Sequence, residues 1–328
     1  MALATREYLM IVVESAYGVP KTTPVKGTDS IVVRLDEGNA FSMEPVPVTV
    51  EISHGGGFAV KADTVSDKTE VKGTLKVKLC YSQAKILLGL GLSKINNART
   101  APWTTTEPAD DLPSVSIYHA VYRDDTGDFL RTRYGGVKCL GGKLDVSEDS
   151  QVMSLSLDLQ GGKYVPNETG DTTPITNTEF PAPAETDYPT DYVLFTHSGG
   201  GLYLGDLVTA RAFYWTLSFG WTNKVEASYF ASRYVARMRC YGREMNLDSE
   251  LMLVSSPNDL ATFRQLGSLA AKLVFTNTTN TLTLDFKSSN YIKGFAFDTT
   301  LDRAYRRKFS LQNRMDPTAG LDFALTVA

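Results

Sequence analysis

The residues best equipped for chemistry are few and scattered. The three histidines, His54, His119 and His197, form no HxH, HExxH or His/Cys grouping, so no spacing sets two ligands on one helix face or strand face for a metal. His119 lies within an alternating run, where a core or edge histidine is the ordinary reading. His54 and His197 precede the glycine runs Gly55–Gly57 and Gly199–Gly201. A glycine run cradles phosphate when it leads into a helix N-terminus; neither run is followed by a helix signal or by Lys-Ser/Thr, so both read as loop tips. No GxSxG elbow or Ser/His/Asp spacing is present. Asp110-Asp111 and Asp124-Asp125 fall in turn sequences, and nothing alternates oxygen ligands toward a closing Glu as a calcium loop does. The cysteines Cys80, Cys139 and Cys240 are an odd set without CxxC spacing. They sit in strand-like runs, which fits buried thiols in a reducing compartment. The expectation is a protein with no catalytic residue, cofactor or metal.

One basic run, Arg303-Ala304-Tyr305-Arg306-Arg307-Lys308, places an aromatic among cations, a nucleic-acid patch in miniature. The whole chain carries a formal net charge of −4 with 21% charged residues, which argues against a main role in gripping phosphates. A solvated strand edge or an intersubunit salt-bridge surface is the reading preferred. No apolar run reaches the ~18 residues a membrane helix needs, and Tyr8–Val13 is too short and too flanked by charge for a signal peptide.

The elements that would position any site are mostly strands. Glu70–Gly91 reads as a strand feeding a helix. Val71, Gly73, Leu75, Val77 and Leu79 alternate with Lys72, Thr74, Lys76 and Lys78, giving one packed and one wet face. Ser82 is a capping residue; Ile86, Leu87 and Leu90 form a stripe, with Gly89 or Gly91 as the left-handed stop. The pattern returns over Glu244–Gly267, with a capping-box start at Ser256-Pro257-Asn258-Asp259. Leu79 and Leu253, and Ser82 and Ser256, are both separated by 174 positions (253−79; 256−82). This predicts a duplicated chain. The 328 residues suffice for two domains of ordinary size.

Glu7–Val13 reads as a short strand within an N-terminal arm over 1–26. Strands follow at Ile31–Leu35 and Val46–Ile52. The excursions 53–70 and 220–242 read as long hairpins or loops, a helix over Lys224–Tyr234 being the competitor. Hairpins are expected at Ile117–Tyr134 and Leu273–Phe286, turning through Asp- and Asn-rich tetrads. Further strands are expected at Val137–Leu140, Leu144–Val146 and Met153–Leu159, and at Tyr291–Phe297, Tyr305–Leu311 and Leu321–Val327. Ser93–Pro113 has no second-half counterpart and reads as an insertion. Val165–Tyr192 carries five prolines and no Lys or Arg, the composition of an extended acidic linker. The fold expected is mainly β: two tandem sandwich or barrel units, 1–164 and 193–328, joined by a linker over 165–192, each with one short helix.

The two copies differ in charge. Thr74 and Lys76 match Asp248 and Glu250 in register. Lys72, Lys76, Lys78, Asp248 and Glu250 are therefore candidates for pairing between unlike halves around a ring.

Glu14-Ser15-Ala16-Tyr17-Gly18-Val19-Pro20 resembles the opening of many tail tube proteins of long, flexible-tailed bacteriophages. Gly136–Gly162 is similar to their paired strands closing a unit, and the strand-to-helix device occurs there too. The layout matches over most of the chain; the Ser93–Pro113 insertion departs from it. The resemblance implies a virion structural protein, assembled in the bacterial cytoplasm and located in the tail. For a duplicated unit it implies three copies in a pseudo-sixfold ring, with rings stacked into a tube. Inward strands would join between subunits into a closed barrel, and DNA would pass the lumen without specific binding. Tape measure, tail terminator and distal tail proteins would be further partners. Closure would remove exposed strand edges, and a contact repeating along an axis makes a filament. Candidates for stacking are the arm and excursions, with Tyr17, Pro20, Phe58, Lys61, Tyr229 and Arg233. The alternatives are another β-sandwich virion or surface protein, as decoration or adhesin, or a carbohydrate-binding module stacking sugars on Trp103 and Trp221.

Overall fold

The computed structural model describes residues 7–21, 24, 29–35, 39–52, 62–92, 103–105, 112–123, 128–166, 194–204, 207–210, 212–227, 237–252, 268–276, 280–286, 290–297, 306–313 and 324–328. The fold is mainly β, with antiparallel sheets and one α-helix among these residues. The first half supplies β1 (Glu7–Ala16), β2 (Val19–Pro20), β3 (Ser30–Arg34), β4 (Ala40–Ile52), β5 (Ala62–Lys78), α1 (Tyr81–Leu92), β6 (Trp103–Thr105), β7 (Val115–Arg123), β8 (Asp128–Ser147), β9 (Ser154–Gly161) and β10 (Lys163–Pro166). The second supplies β11 (Gly200–Leu204), β12 (Leu207–Ala210), β13 (Ala212–Ala227), β14 (Arg237–Met252), β15 (Ser268–Leu269), β16 (Ala271–Thr276), β17 (Thr281–Asp285), β18 (Asn290–Phe297), β19 (Arg306–Gln312) and β20 (Ala324–Val327).

The same strand order occurs in both halves. β4-β5-β9-β8 are neighbours in the first, and β13-β14-β19-β18 in the second. An outer set β3-β1-β7-β8-β10 has its counterpart in β12-β11-β16-β17-β20. The 174-residue offset recurs between β4–β5 and β13–β14, while Ser156 and Lys308, at corresponding places on β9 and β19, are 152 apart (308−156). Lys76 faces Ala40 and Ser156, and Glu250 faces Tyr214 and Lys308, with 250−76 and 214−40 both 174. β8 and β18 even carry a bulge at the same place, between Cys139 and Gly141 and between Ile292 and Gly294.

Alternation explains the long strands. On β5, Val71, Leu75 and Val77 are buried while Lys72, Thr74, Lys76 and Lys78 are exposed, so one face packs and the other is wet. The excursions 53–70 and 220–242 carry strand inward from both sides: β5 begins at Ala62, β13 continues to Ala227 and β14 starts at Arg237. Lys224–Ala227 is strand rather than helix. The tips of both, and the second helix expected at Ser256–Gly267, lie outside the described residues.

The helix differs in detail from expectation. It begins at Tyr81, and the amides of Gln83 and Ala84 close its first turn on the Cys80 carbonyl. Gly91 does not stop it in a left-handed conformation but lies within it, where an added Cβ would meet the Phe219 ring at 3.0 Å. The helix is buried from Ile86 to Leu92. The Trp221 indole N–H donates to the Gly91 carbonyl at 2.8 Å, satisfying one of the acceptors a helix C-terminus leaves open. Trp221→Phe keeps an aromatic ring, though a smaller one, and loses this bond; chemical denaturation should show a loss of at least about 1 kcal/mol, and an unchanged midpoint would mean the cap contributes nothing.

The expected N-terminal arm is, over Glu7–Pro20, part of the sheet. β1 pairs β3 on one side and β7 on the other, and Leu9 and Ile11 are fully buried. The Gly199–Gly201 run is likewise no loop tip. Gly200 starts β11, opposite Phe275, whose ring occupies the space a side chain would need. The insertion contributes β6, which pairs β20 and ends the second half's outer sheet. One core cluster runs from Leu9 to Val327 and includes residues of both halves. Of the expected linker, Val165 and Pro166 belong to β10; the remainder lies outside the described residues.

Candidate functional site: the repeat junction and its two open edges

The two four-stranded sets meet edge to edge. β8 pairs β13 antiparallel from Ser147 opposite Tyr214 to Gly141 opposite Gly220. Glycines make this approach possible. A Cβ on Gly141 would come within 2.7 Å of the Phe219 carbonyl, and one on Gly142 within 2.9 Å of the Phe219 ring. Leu144, Val146, Trp215, Leu217 and Phe219 bury the inner face of the junction, and the Trp215 ring lies 5.0 Å from Phe275 in a tilted contact.

The equivalent edges at the two ends of the eight-strand array are open among the described residues. β4 pairs only β5. β18 pairs β19 along its length, and β15 covers only Asn290 and Tyr291. Tyr134 holds β4 to the layer behind it. Its hydroxyl donates to the Met43 carbonyl at 3.0 Å, and its ring packs edge-on against Phe41. Burial, then the neighbouring Tyr164 and Glu44, push its phenol up to about 12. A raised folded-state value favours the neutral form in the native protein, so its stabilisation is complete below pH ~10 and is lost as pH rises toward the folded value. Tyr134→Phe should flatten the loss of stability between pH 10 and 12, read as the denaturation midpoint against pH; an unaltered slope would exclude this phenol as its source.

The wet face of the array collects the sequence-predicted charges. Lys72, Lys76 and Lys78 lie on β5; Asp248 and Glu250 lie on β14. Neither strand is at an edge, since β4 and β9 flank β5, and β13 and β19 flank β14. These residues share one face; of them Lys76 and Glu250 hold corresponding positions in the two halves (250−76) and do not oppose one another. Lys72 pairs with Glu70 at 2.8 Å, and the Ser310 hydroxyl donates to Asp248 at 2.6 Å. Glu250 is buried; burial first, then Glu250 and Asp248, raise the Tyr214 phenol. Exposed pairs on such a face contribute about 0–1 kcal/mol each.

Of the stacking candidates, Tyr17 folds back over Gly136, and the Lys138 ammonium lies 5.7 Å from its ring centroid. Pro20 pairs with Glu14. Phe58, Lys61, Tyr229 and Arg233 lie outside the described residues, as do His54 and both Asp pairs. His119 makes a 2.7 Å contact from Nε2 to Glu7 and lies edge-on to Phe41. Cys80 and Cys139 are buried, and burial raises the Cys80 thiol. Arg306, Arg307 and Lys308 belong to β19, an interior strand between β14 and β18, so this stretch is no strand edge. Among the described residues no three His, Cys, Asp or Glu side chains converge to hold a metal, and no helix is long and apolar enough to cross a membrane.

Sequence reasoning missed the junction, because nothing local in β8 names β13 as its partner. It also missed Glu14 as an acceptor. Its carboxylate takes the Gly18 amide at 2.8 Å, the Ser116 hydroxyl at 2.7 Å and the Gly136 amide at 2.8 Å. The chain matches no family model, and no curated protein matches it.

Proposed function

We propose that this chain is a structural subunit that closes on copies of itself into rings, and that the rings stack into the tail tube of a long, flexible-tailed phage. One observation carries the reading: four strands in each half follow the same order, β8 and β13 join the two sets, and the outer edges of β4 and β18 are open among the described residues. A joint that connects unlike edges is heterologous, and such a joint repeated by rotation closes a ring. Closure also removes the exposed edges that invite indiscriminate pairing. The wet face of the array would line the bore. Its mixture of Lys, Asp, Glu, Ser and Thr and the net charge of −4 suit a conduit for DNA, since Lys/Arg–phosphate contacts supply non-specific affinity. The resemblance of the Glu14–Pro20 and Gly136–Gly162 stretches supplies the tail and the count of three copies, with tape measure, terminator and distal tail proteins as partners. No catalytic role or cofactor belongs to this reading.

A decoration or adhesin subunit would share the fold but not require open edges to meet. The carbohydrate-binding reading loses one of its two aromatics, because Trp221 packs on the core and its N–H is engaged by Gly91. Electron microscopy of the purified protein across a concentration series should show annular particles with a central hole, alone or stacked. Monodisperse solid particles at every concentration would refute the proposal.

A further inference from the structure

We infer that the open edge of β18 pairs antiparallel with the open edge of β4 in the next copy, in the register β8 and β13 use within the chain. Ala296 then lies opposite Glu44, and Gly294 opposite Val46. This rests on the ring reading above and specifies its seam.

The register follows from equivalences already in the structure. Lys143 faces Ser156 as Ala296 faces Lys308, and Gly141 faces Asp158 as Gly294 faces Ser310. Ala296 and Gly294 thus hold the places of Lys143 and Gly141. Across the junction those two face Ser218 and Gly220, which lie 174 positions after Glu44 and Val46 (218−44; 220−46).

The stagger of the junction has the value closure requires. A line crossing the strands from Ala40 runs through Lys76, Ser156 and Lys143 to Ser218. The residue equivalent to Ala40 is Tyr214, four positions earlier (218−214). A second line from Ser42 through Thr74, Asp158 and Gly141 reaches Gly220, again four beyond the equivalent Thr216 (220−216). Four residues of stagger accumulate over four strands, one per strand. A barrel whose shear equals its strand number has strands tilted by about 36°, within the usual range for closed barrels. The same joint used again therefore closes for a whole number of repeats.

β4 also carries Pro45 and Pro47 opposite Val71 and Thr69 of β5. Proline is accommodated on an edge strand with its missing N–H directed away from the partner. That directs the backbone groups of odd-numbered residues here toward the open edge and those of Glu44 toward β5. Glu44 and Ala296 then form a non-hydrogen-bonded pair, with Cα atoms about 4.5 Å apart, inside the disulfide range. Pro45 withholds one N–H from the seam, which leaves it weaker than the internal junction and protects a lone subunit's edge.

The test is disulfide trapping in the full chain with Cys240→Ser. Glu44→Cys with Ala296→Cys should give, on mild oxidation, a denaturant-resistant ladder ending at one ring-sized species. Lys143→Cys with Ser218→Cys should close within one chain and reports that the fold tolerates such a pair. Ala40→Cys with Ala296→Cys represents an unstaggered seam and should stay uncrosslinked. Rings visible by microscopy with crosslinking only in the Ala40 pair, or in neither, overturn the register while leaving the ring reading intact. No rings and no intermolecular crosslink, with the internal pair closed, overturn both.

Discussion

Trp215→Ala is expected to lower the unfolding free energy by about 3–5 kcal/mol, the usual range for truncating a buried large aromatic. Trp215 is 3% exposed. It sits on β13 between Val146 of β8 and Ser249 of β14, with its ring against Phe275 of the outer sheet. Truncation would open a cavity where the two halves and the two layers meet, and the surrounding strands, tied by their ladders, cannot collapse into it. Against a typical total of about 5–15 kcal/mol, such a loss leaves little reserve. Denaturation monitored by far-UV circular dichroism reads it, and Trp215→Phe should lose less. A cost under about 1 kcal/mol would be that of a surface position and would contradict the placement of this ring.

Glu14→Ala is expected to cost about 3 kcal/mol or more, since it strands three donors that point at one carboxylate, and hydrogen bonds to charged groups contribute about 1.5–3 kcal/mol each. Two of the donors are amides of glycines with positive φ, Gly18 at 74° and Gly136 at 64°. Those conformations favour glycine, and the carboxylate fixes both. Tyr17 then covers Gly136, where a Cβ would come within 2.7 Å of its ring. Glu14→Gln keeps a carbonyl oxygen and should lose roughly half as much. Early proteolytic cleavage near Gly18 in the Ala variant, absent in the parent, is the second readout. Equal stability of the three proteins would show that the amides find other acceptors.

The local half of this architecture was legible in the sequence. Alternation in Val71–Lys78 gave a strand with the right wet face, and the 174-residue offset read from Leu79 and Leu253 recurs between β4–β5 and β13–β14 but not between β9 and β19. What escaped was the continuity of β8. Its residues read as three short strands, because Gly135-Gly136 and Gly141-Gly142 look like punctuation. In the structure Gly136 bends the strand and the bulge before Gly141 re-aims it, so one strand of 20 residues passes from the outer layer to the inner one. Gly136, Gly141 and Gly142 serve close approach rather than chain reversal. The candidate site escaped for another reason. An edge-to-edge joint depends on hydrogen bonds between backbones far apart in sequence, and side-chain types record those only through patterns such as the small residues at Gly141 and Gly142. The lysines of β5 were correctly placed as a wet face, opposite the buried Val71, Leu75 and Val77.

In the proposed ring, the one-residue-per-strand stagger would make each four-stranded set a unit of circumference. With strands about 4.8 Å apart and tilted about 36°, each four-stranded set spans close to ~24 Å of perimeter. The tilt does not change with copy number, so the perimeter grows linearly. Six repeats would give roughly 140 Å, a backbone-to-backbone diameter of about 45 Å before side chains narrow it. In that proposed ring the register of β8 against β13 would set the strand tilt, and the number of copies would set the width of the bore.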